Sequence, residues 1–289
     1  MLVRSTRRLS RARLHYGHGT DSARDDAAAL LWHVMRLPLP APAAVYRRRV
    51  PPRVLAALDQ LLQRRIRERI PVVYLTQRCW FAGLPMYVDA RVLIPRSPIA
   101  ELIERRFQPW IDPARVRRIL DLGTGSGCIA IACARAFARC RVDAADISAA
   151  ALAVAQINIR RHRLSARVRA VRSDHFAGLG SASYDIIVSN PPYVPESDRE
   201  TLHPQVRDHE PAAALFAGPD GLDLYRRLIP QAHTALKSNG LLALEIGHGQ
   251  REALATLQQT WHHVSFVDDL QQIPRVALAR KPPSPSQKS

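Results

Sequence analysis

From Val116 almost to the end of the chain, β-prone runs and helical runs take turns, and this alternation restricts the fold more than any other feature of the sequence. Strand-like runs fall at Arg117–Leu122, Arg141–Ala145, Arg167–Val171, Asp185–Ser189 and Leu241–Ile246. Helical patterns fall at Ser126–Ala138, Ala149–Arg161, Leu222–Leu236 and Gln250–Gln259, with a turn expected at Asn239–Gly240. Strands that return to one sheet through helices run parallel and are covered on both faces. Val264–Val267 and Val276–Ala279 close the pattern with no helix between them, so this pair is expected to be antiparallel. The expected fold class is α/β, with a seven-stranded, mostly parallel sheet.

Upstream the pattern differs. Residues 1–20 read as a flexible basic arm. Residues 21–75 read as a small N-terminal helical domain, with helices at Asp25–Leu37 and Val54–Ile70 on either side of a Pro-rich break at Pro38, Pro40 and Pro42. Residues 76–110 read as a hairpin linker, with strands Met86–Val88 and Arg91–Ile94, followed by a short helix at Pro98–Phe107. The α/β domain then spans 111–281, and 282–289 is too polar and Pro-rich to pack.

The glycine run Gly123, Gly125 and Gly127, interleaved with Thr124 and Ser126, sits between the first strand and its helix, with Asp121 at the strand end. Glycine permits a tight turn and lets backbone N–H groups approach a ligand closely. Asp146 lies just past the second strand, where a carboxylate can accept both hydroxyls of a ribose, and Ser148 is placed to cap the next helix. After the third strand, Ser173, Asp174 and His175 supply polar and flat groups where an adenine would lie. Dinucleotides and S-adenosylmethionine share an adenosine half, so these residues do not separate the two. The strand order with its terminal hairpin, and the motif after the fourth strand, argue against a dehydrogenase.

That motif is Asn190-Pro191-Pro192-Tyr193, delivered by a buried strand to the edge where open α/β sheets bind ligands. Two prolines fix φ and remove two backbone donors, leaving carbonyls as acceptors in a stiff turn. A planar NH₂ group carries two donors. The Asn190 side-chain oxygen can take one and the Pro191 carbonyl the other, while Tyr193 is expected to wall the pocket and stack on the amide.

The glycine loop, the acid at Asp146 and the Asn-Pro-Pro-Tyr turn together resemble the glutamine and adenine amino-methyltransferases. From about residue 20 to 280, including PVVYLTQRCWFAGLPMYVDARVLIPRSPIAELIE, the chain resembles the protein-(glutamine-N5) methyltransferases. That resemblance implies a class I, Rossmann-like fold with S-adenosyl-L-methionine as cofactor. It implies cofactor contacts at Asp121, Gly123, Thr124, Gly125, Ser126, Gly127, Asp146, Asp174, His175 and Asn190. Catalysis would fall to Asn190, Pro191, Pro192 and Tyr193. The family's aromatic adenine contact falls on His175, where Trp is commoner.

In that family, enzymes acting on peptide-chain release factors carry Arg-Pro-Asp-Thr-Glu after the hairpin. Here Arg96-Ser97-Pro98-Ile99-Ala100-Glu101 stands instead, and Gly17-His18-Gly19-Thr20-Asp21 is present near the start. Both resemble the branch that methylates the third protein of the large ribosomal subunit. Release-factor methylation, nucleic-acid adenine methylation and a non-enzymatic RNA-binding assembly factor are the alternatives. A base-modifying enzyme calls for a larger recognition domain than the N-terminal helices provide.

The formal net charge is +17, and the only lysines are Lys237, Lys281 and Lys288. Arginine in such excess suits contact with ribosomal RNA in an assembly intermediate, or else simply covers solvated faces. Cys79, Cys128, Cys133 and Cys140 show neither CxxC pairing nor a companion histidine cluster, so buried thiols are expected rather than zinc or disulfides. No apolar run approaches a membrane span, and the first residues lack the apolar block of a secretory signal, so a cytoplasmic enzyme without membrane or metal is expected.

Overall fold

The computed structural model describes residues 1–17, 19–37 and 49–283. The Pro-rich break at 38–48, His18 and the tail from 284 lie outside the described residues.

The chain opens with α1 (Leu2–Arg11) where a flexible arm was expected. Leu9 is wholly buried, and Leu2 and Ala12 pack against the same core. Leu2, Ser5, Leu9 and Ala12 recur at three- and four-residue spacing and form one apolar stripe. The arginines between them face outward and hide that stripe from a reading based on charge. Burial of a leucine side chain contributes roughly 1.5–3 kcal/mol, enough to hold a short helix down.

Next come α2 (Ala23–Val34), α3 (Pro52–Arg67) and α4 (Val72–Thr76). Ser22 caps α2 through Asp25 N–H, and the proline of α3 stands in its first turn, where no backbone donor is needed. On α3, Arg65 is buried and paired with buried Asp26 at 2.6 Å. It is structural, and Arg64 pairs with Glu68 at 3.5 Å.

The hairpin consists of β1 (Cys79–Phe81) and β2 (Leu84–Met86), one turn earlier than expected. Ala82 and Gly83 both take positive φ, as a two-residue turn with right-handed strand twist requires. The β-prone run Arg91–Ile94 instead crosses the core without a strand partner, and its Ile94 N–H donates to Glu210. After it comes α5 (Ile99–Glu104).

The α/β region contains β3 (Arg118–Leu122), α6 (Cys128–Ala136), β4 (Arg141–Asp146), α7 (Ala149–Arg161), β5 (Val168–Arg172) and β6 (Tyr184–Ser189). There follow α8 (Pro204–His209), α9 (Asp223–Ala235), β7 (Leu236–Glu245), α10 (Arg251–Leu257), β8 (His262–Asp268) and β9 (Pro274–Arg280). The strand order is β5-β4-β3-β6-β7-β9-β8. The first five strands are parallel, while β9 is antiparallel to both β7 and β8. This is the expected class I α/β sheet. The turn expected at Asn239–Gly240 survives as an irregularity in β7, where pairing shifts between Leu236 and Leu241 and Asn239 takes positive φ.

β3 has β4 on one side and β6 on the other, so the chain winds away from β3 in both directions. The crevice at such a switch point, beyond the C-terminal strand ends, is where open α/β sheets hold ligands. All four cysteines are buried free thiols. No helix among the described residues is long and apolar enough to cross a membrane, and none of their His, Cys, Asp and Glu side chains cluster to hold a metal.

Candidate active site

A cavity of about 390 Å³ opens at the switch point. Its floor is the loop after β3. Gly123 and Gly125 take positive φ, and a Cβ on either would meet nothing within 4 Å, so both present bare backbone to open space. Gly127 does different work. A Cβ there would lie 3.2 Å from that of Ala155, so this glycine lets α6 start close against α7, and it does not line the cavity.

Two carboxylates shape the loop from below. Asp121 is fully buried and accepts from the Thr124 hydroxyl at 2.5 Å and from Ala130 N–H at 3.0 Å, both on Oδ2. Its Oδ1 is buried without a hydrogen-bond partner, and burial pushes the carboxyl up to about 7. Asp121 therefore lies beneath the loop rather than on the cavity wall. Asp146 accepts from Gly125 N–H at 2.9 Å and from Ser148 N–H at 2.8 Å, one on each oxygen. A carboxylate oxygen has room for a second donor, so both oxygens keep acceptor capacity where Asp146 lines the cavity. Burial also raises the Asp146 pKa. Ser148 caps α7 through Ala151 N–H, as its position suggested.

Asp174 and His175 line the next part of the wall, beyond β5. His175 takes positive φ, and its Nδ1 lies 2.6 Å from Asp174 Oδ1. The Nε2 of His175 is buried with no hydrogen-bond partner. Arg227, from α9, reaches Asp174 at 3.7 Å and lines the same wall.

Asn190, Pro191 and Pro192 form the wall beyond β6. Ser189 fastens this edge to the glycine side, its hydroxyl donating to the Leu122 carbonyl at 2.6 Å. Tyr193 departs from the expected arrangement. It does not line the cavity, and its hydroxyl points back to Glu245, donating to Oε1 at 3.1 Å. Its ring packs instead against the apolar cluster that contains Leu122, Tyr225 and Leu244.

Several residues at this site escaped the sequence reading. Glu245 ends β7 and is buried, with its carboxyl held up at about 7 by burial. Glu210, also buried, accepts from Ile94 N–H at 3.1 Å and pairs with Arg96 at 2.8 Å, tying the 91–97 segment to the chain after α8. Gln250 donates to the Tyr193 carbonyl at 2.9 Å. One signal could have found Glu245: it is a single acid inside the apolar run Leu241–Ile246.

The methyltransferase small domain family matches residues 106–206, and the PrmC N-terminal domain family matches residues 6–76. Ribosomal protein uL3 glutamine methyltransferase of Bordetella pertussis is 43% identical over 88% of this chain and 86% of its own length. The protein of the same description from Xylella fastidiosa is 44% identical over 87% of this chain and 80% of its own. Among solved structures, the hMettl16 catalytic domain in complex with the MAT2A 3'UTR hairpin 6 aligns with a TM-score of 0.53 at 17% identity, covering 85% of this chain and 86% of that one. The T. thermophilus 16S rRNA methyltransferase in complex with AdoMet and guanosine aligns at 0.50 with 20% identity, over 71% and 49%. At those identities the structural likeness speaks for the fold alone. On the sequence matches, the chain belongs to the ribosomal protein uL3 glutamine methyltransferase family.

Proposed function

We propose that this enzyme transfers a methyl group from S-adenosyl-L-methionine to the side-chain amide nitrogen of a glutamine in ribosomal protein uL3. The observation that carries the reading is the meeting of two edges in one cavity, the glycine loop with Asp146 and the Asn190–Pro192 turn. The glycine side fits an adenosyl ligand, with bare backbone at Gly123 and Gly125 and free acceptor capacity on Asp146. Gly123, Thr124, Gly125 and Ser126 would hold the amino-acid half, Asp146 the ribose, and Asp174 and His175 the adenine. When bound, the cofactor supplies an electrophilic methyl group on a sulfonium.

The rest of the chemistry belongs to the chain. A carboxamide nitrogen is a poor nucleophile because its lone pair is delocalised into the carbonyl. Asn190 Oδ1 and the Pro191 carbonyl accept its two N–H donors and hold that nitrogen toward the methyl group. Orientation of this kind is worth up to about 7–11 kcal/mol. The alkylated amide is acidic enough to release its proton to water, so no strong base is needed.

The test is transfer of labelled methyl by the full chain to purified uL3, to a release factor and to an adenine-containing oligonucleotide. Label on a uL3 glutamine side chain is the expected result. Label on either of the other two substrates alone would overturn the reading.

The exposed arginines of the N-terminal helices, Arg4, Arg7, Arg11 and Arg53, would contact ribosomal RNA of an assembling subunit. Charge reversal there should weaken binding to a ribosomal precursor and flatten its salt dependence. Arg65 must be spared, because breaking its buried pair with Asp26 costs roughly 3–5 kcal/mol.

A further inference from the structure

Tyr193 belongs to the turn that frames the cavity, yet its side chain faces away from it, and three features of one short segment receive it. Glu245 takes its hydroxyl at 3.1 Å. Gly247 passes so close that a Cβ there would stand 3.2 Å from the Tyr193 ring. Gln250 donates to the Tyr193 carbonyl at 2.9 Å while accepting from Gly247 N–H at 2.8 Å. The segment from the end of β7 to the start of α10 thus grips side chain, ring and backbone of a single residue.

Arg275, from β9, approaches the Tyr193 hydroxyl at 3.3 Å and Glu245 at 4.0 Å. Glu245 is 2% exposed, so the Tyr193 hydroxyl meets a buried acid. A tyrosine kept only for packing has no use for a buried acid at its hydroxyl, since burying such an acid is itself unfavourable.

We infer that Glu245 is a positioning residue for methyl transfer: it takes the Tyr193 hydroxyl from behind the turn, and so sets where Asn190 and the Pro191 carbonyl hold the amide nitrogen. The inference rests on the function proposed above. Glu245 touches neither substrate nor cofactor and acts through Tyr193 and the backbone of Asn190 and Pro191.

Tyr193→Phe removes only the hydroxyl that faces Glu245, so it is the mildest way to open the joint. Single-turnover methyl transfer to uL3 by the full chain should slow about tenfold, with cofactor affinity by calorimetry unchanged. Glu245→Gln keeps an acceptor and should lose less. The double variant should be no slower than Tyr193→Phe alone, because both changes break one joint. A wild-type rate in Tyr193→Phe, losses that multiply in the double variant, or cofactor affinity falling in step with rate would each overturn the assignment. If Glu245→Gln does not fold, Tyr193→Phe decides alone.

A second readout needs no substrate. Val194 N–H, bonded to the Leu215 carbonyl at 2.9 Å, should exchange faster in Tyr193→Phe, and unchanged exchange would overturn the claim. Wild-type enzyme inactive on uL3 would fail the functional reading only, and the positioning role would then be decided by that exchange.

Discussion

The two strand ends that enclose the cavity solve opposite problems. After β3 the chain sheds side chains: Gly123 and Gly125 turn at positive φ and present bare backbone to open space, their N–H groups held by the Ala145 carbonyl and Asp146. After β6 it sheds donors: Pro191 and Pro192 line the same space and have no N–H, so their backbone keeps only acceptors. The first edge is supported by carboxylates beneath it, Asp121 and Asp146. The second is supported by a tyrosine gripped from behind. A bare backbone edge beside the Asp146 carboxylate leaves room for a ribose-bearing ligand, and an edge whose backbone keeps only acceptors suits an NH₂ group. On the function proposed above, the pairing would let one cavity hold a cofactor and aim an amide at it.

If the labour is divided this way, each edge should fail in its own observable. The largest effect is expected from Asn190→Ala, which should slow single-turnover transfer by about 10²–10³-fold while cofactor affinity falls only modestly. A loss of affinity as large as the loss of rate would erase the distinction between the edges.

Next in size is Asp146→Ala. Two charge-assisted hydrogen bonds to ribose are lost, at roughly 1.5–3 kcal/mol each, so calorimetry should show cofactor binding weaker by about 100-fold or more. Part of that loss comes from freeing Gly125 N–H, which Asp146 holds at 2.9 Å. Asp146→Asn retains an acceptor and should lie between the two. Unchanged affinity in Asp146→Ala would remove the ribose assignment.

The smallest effect concerns stability. Burial holds the carboxyls of Asp121 and Glu245 up at about 7, one under each edge. Between the ordinary carboxylate range and that value the folded protein binds more protons than the unfolded chain, so stability falls as pH rises through this window. Asp121→Asn removes one of the two titrations. Its thermal midpoint should therefore decline less steeply between about pH 4 and about pH 7, by a few degrees, than that of the parent. Parallel curves would mean that Asp121 does not titrate there.

The features that could be read in the sequence are those whose physics is local. Alternating glycines, a double proline and a serine before a helix state their backbone requirements within a few residues. Supports that depend on the sheet order were harder to see. Glu245 meets Tyr193 because β7 lies beside β6, and Glu210 meets Ile94 across 116 positions of chain. Tyr193 was expected in the cavity because its motif is there, but motif spacing does not fix which way a ring turns at the end of a turn. In α1 the failure was one of emphasis, since arginines outnumbered the leucines whose spacing buried the helix. The hairpin was placed one turn late because β-propensity at Arg91–Ile94 outweighed the turn signal of Ala82–Gly83.

Asn190→Asp tests the division between the edges most directly, with cofactor affinity and single-turnover rate measured on the same preparation. The carboxylate keeps an acceptor of similar size and adds a negative charge beside a sulfonium. That attraction helps the ground state and fades as the sulfur is neutralised during transfer, so it cannot speed the reaction. The variant should bind cofactor at least as tightly as the parent and transfer methyl more slowly. Parent-like transfer would contradict the account, because the Asn190 turn would then not be what presents the nucleophile.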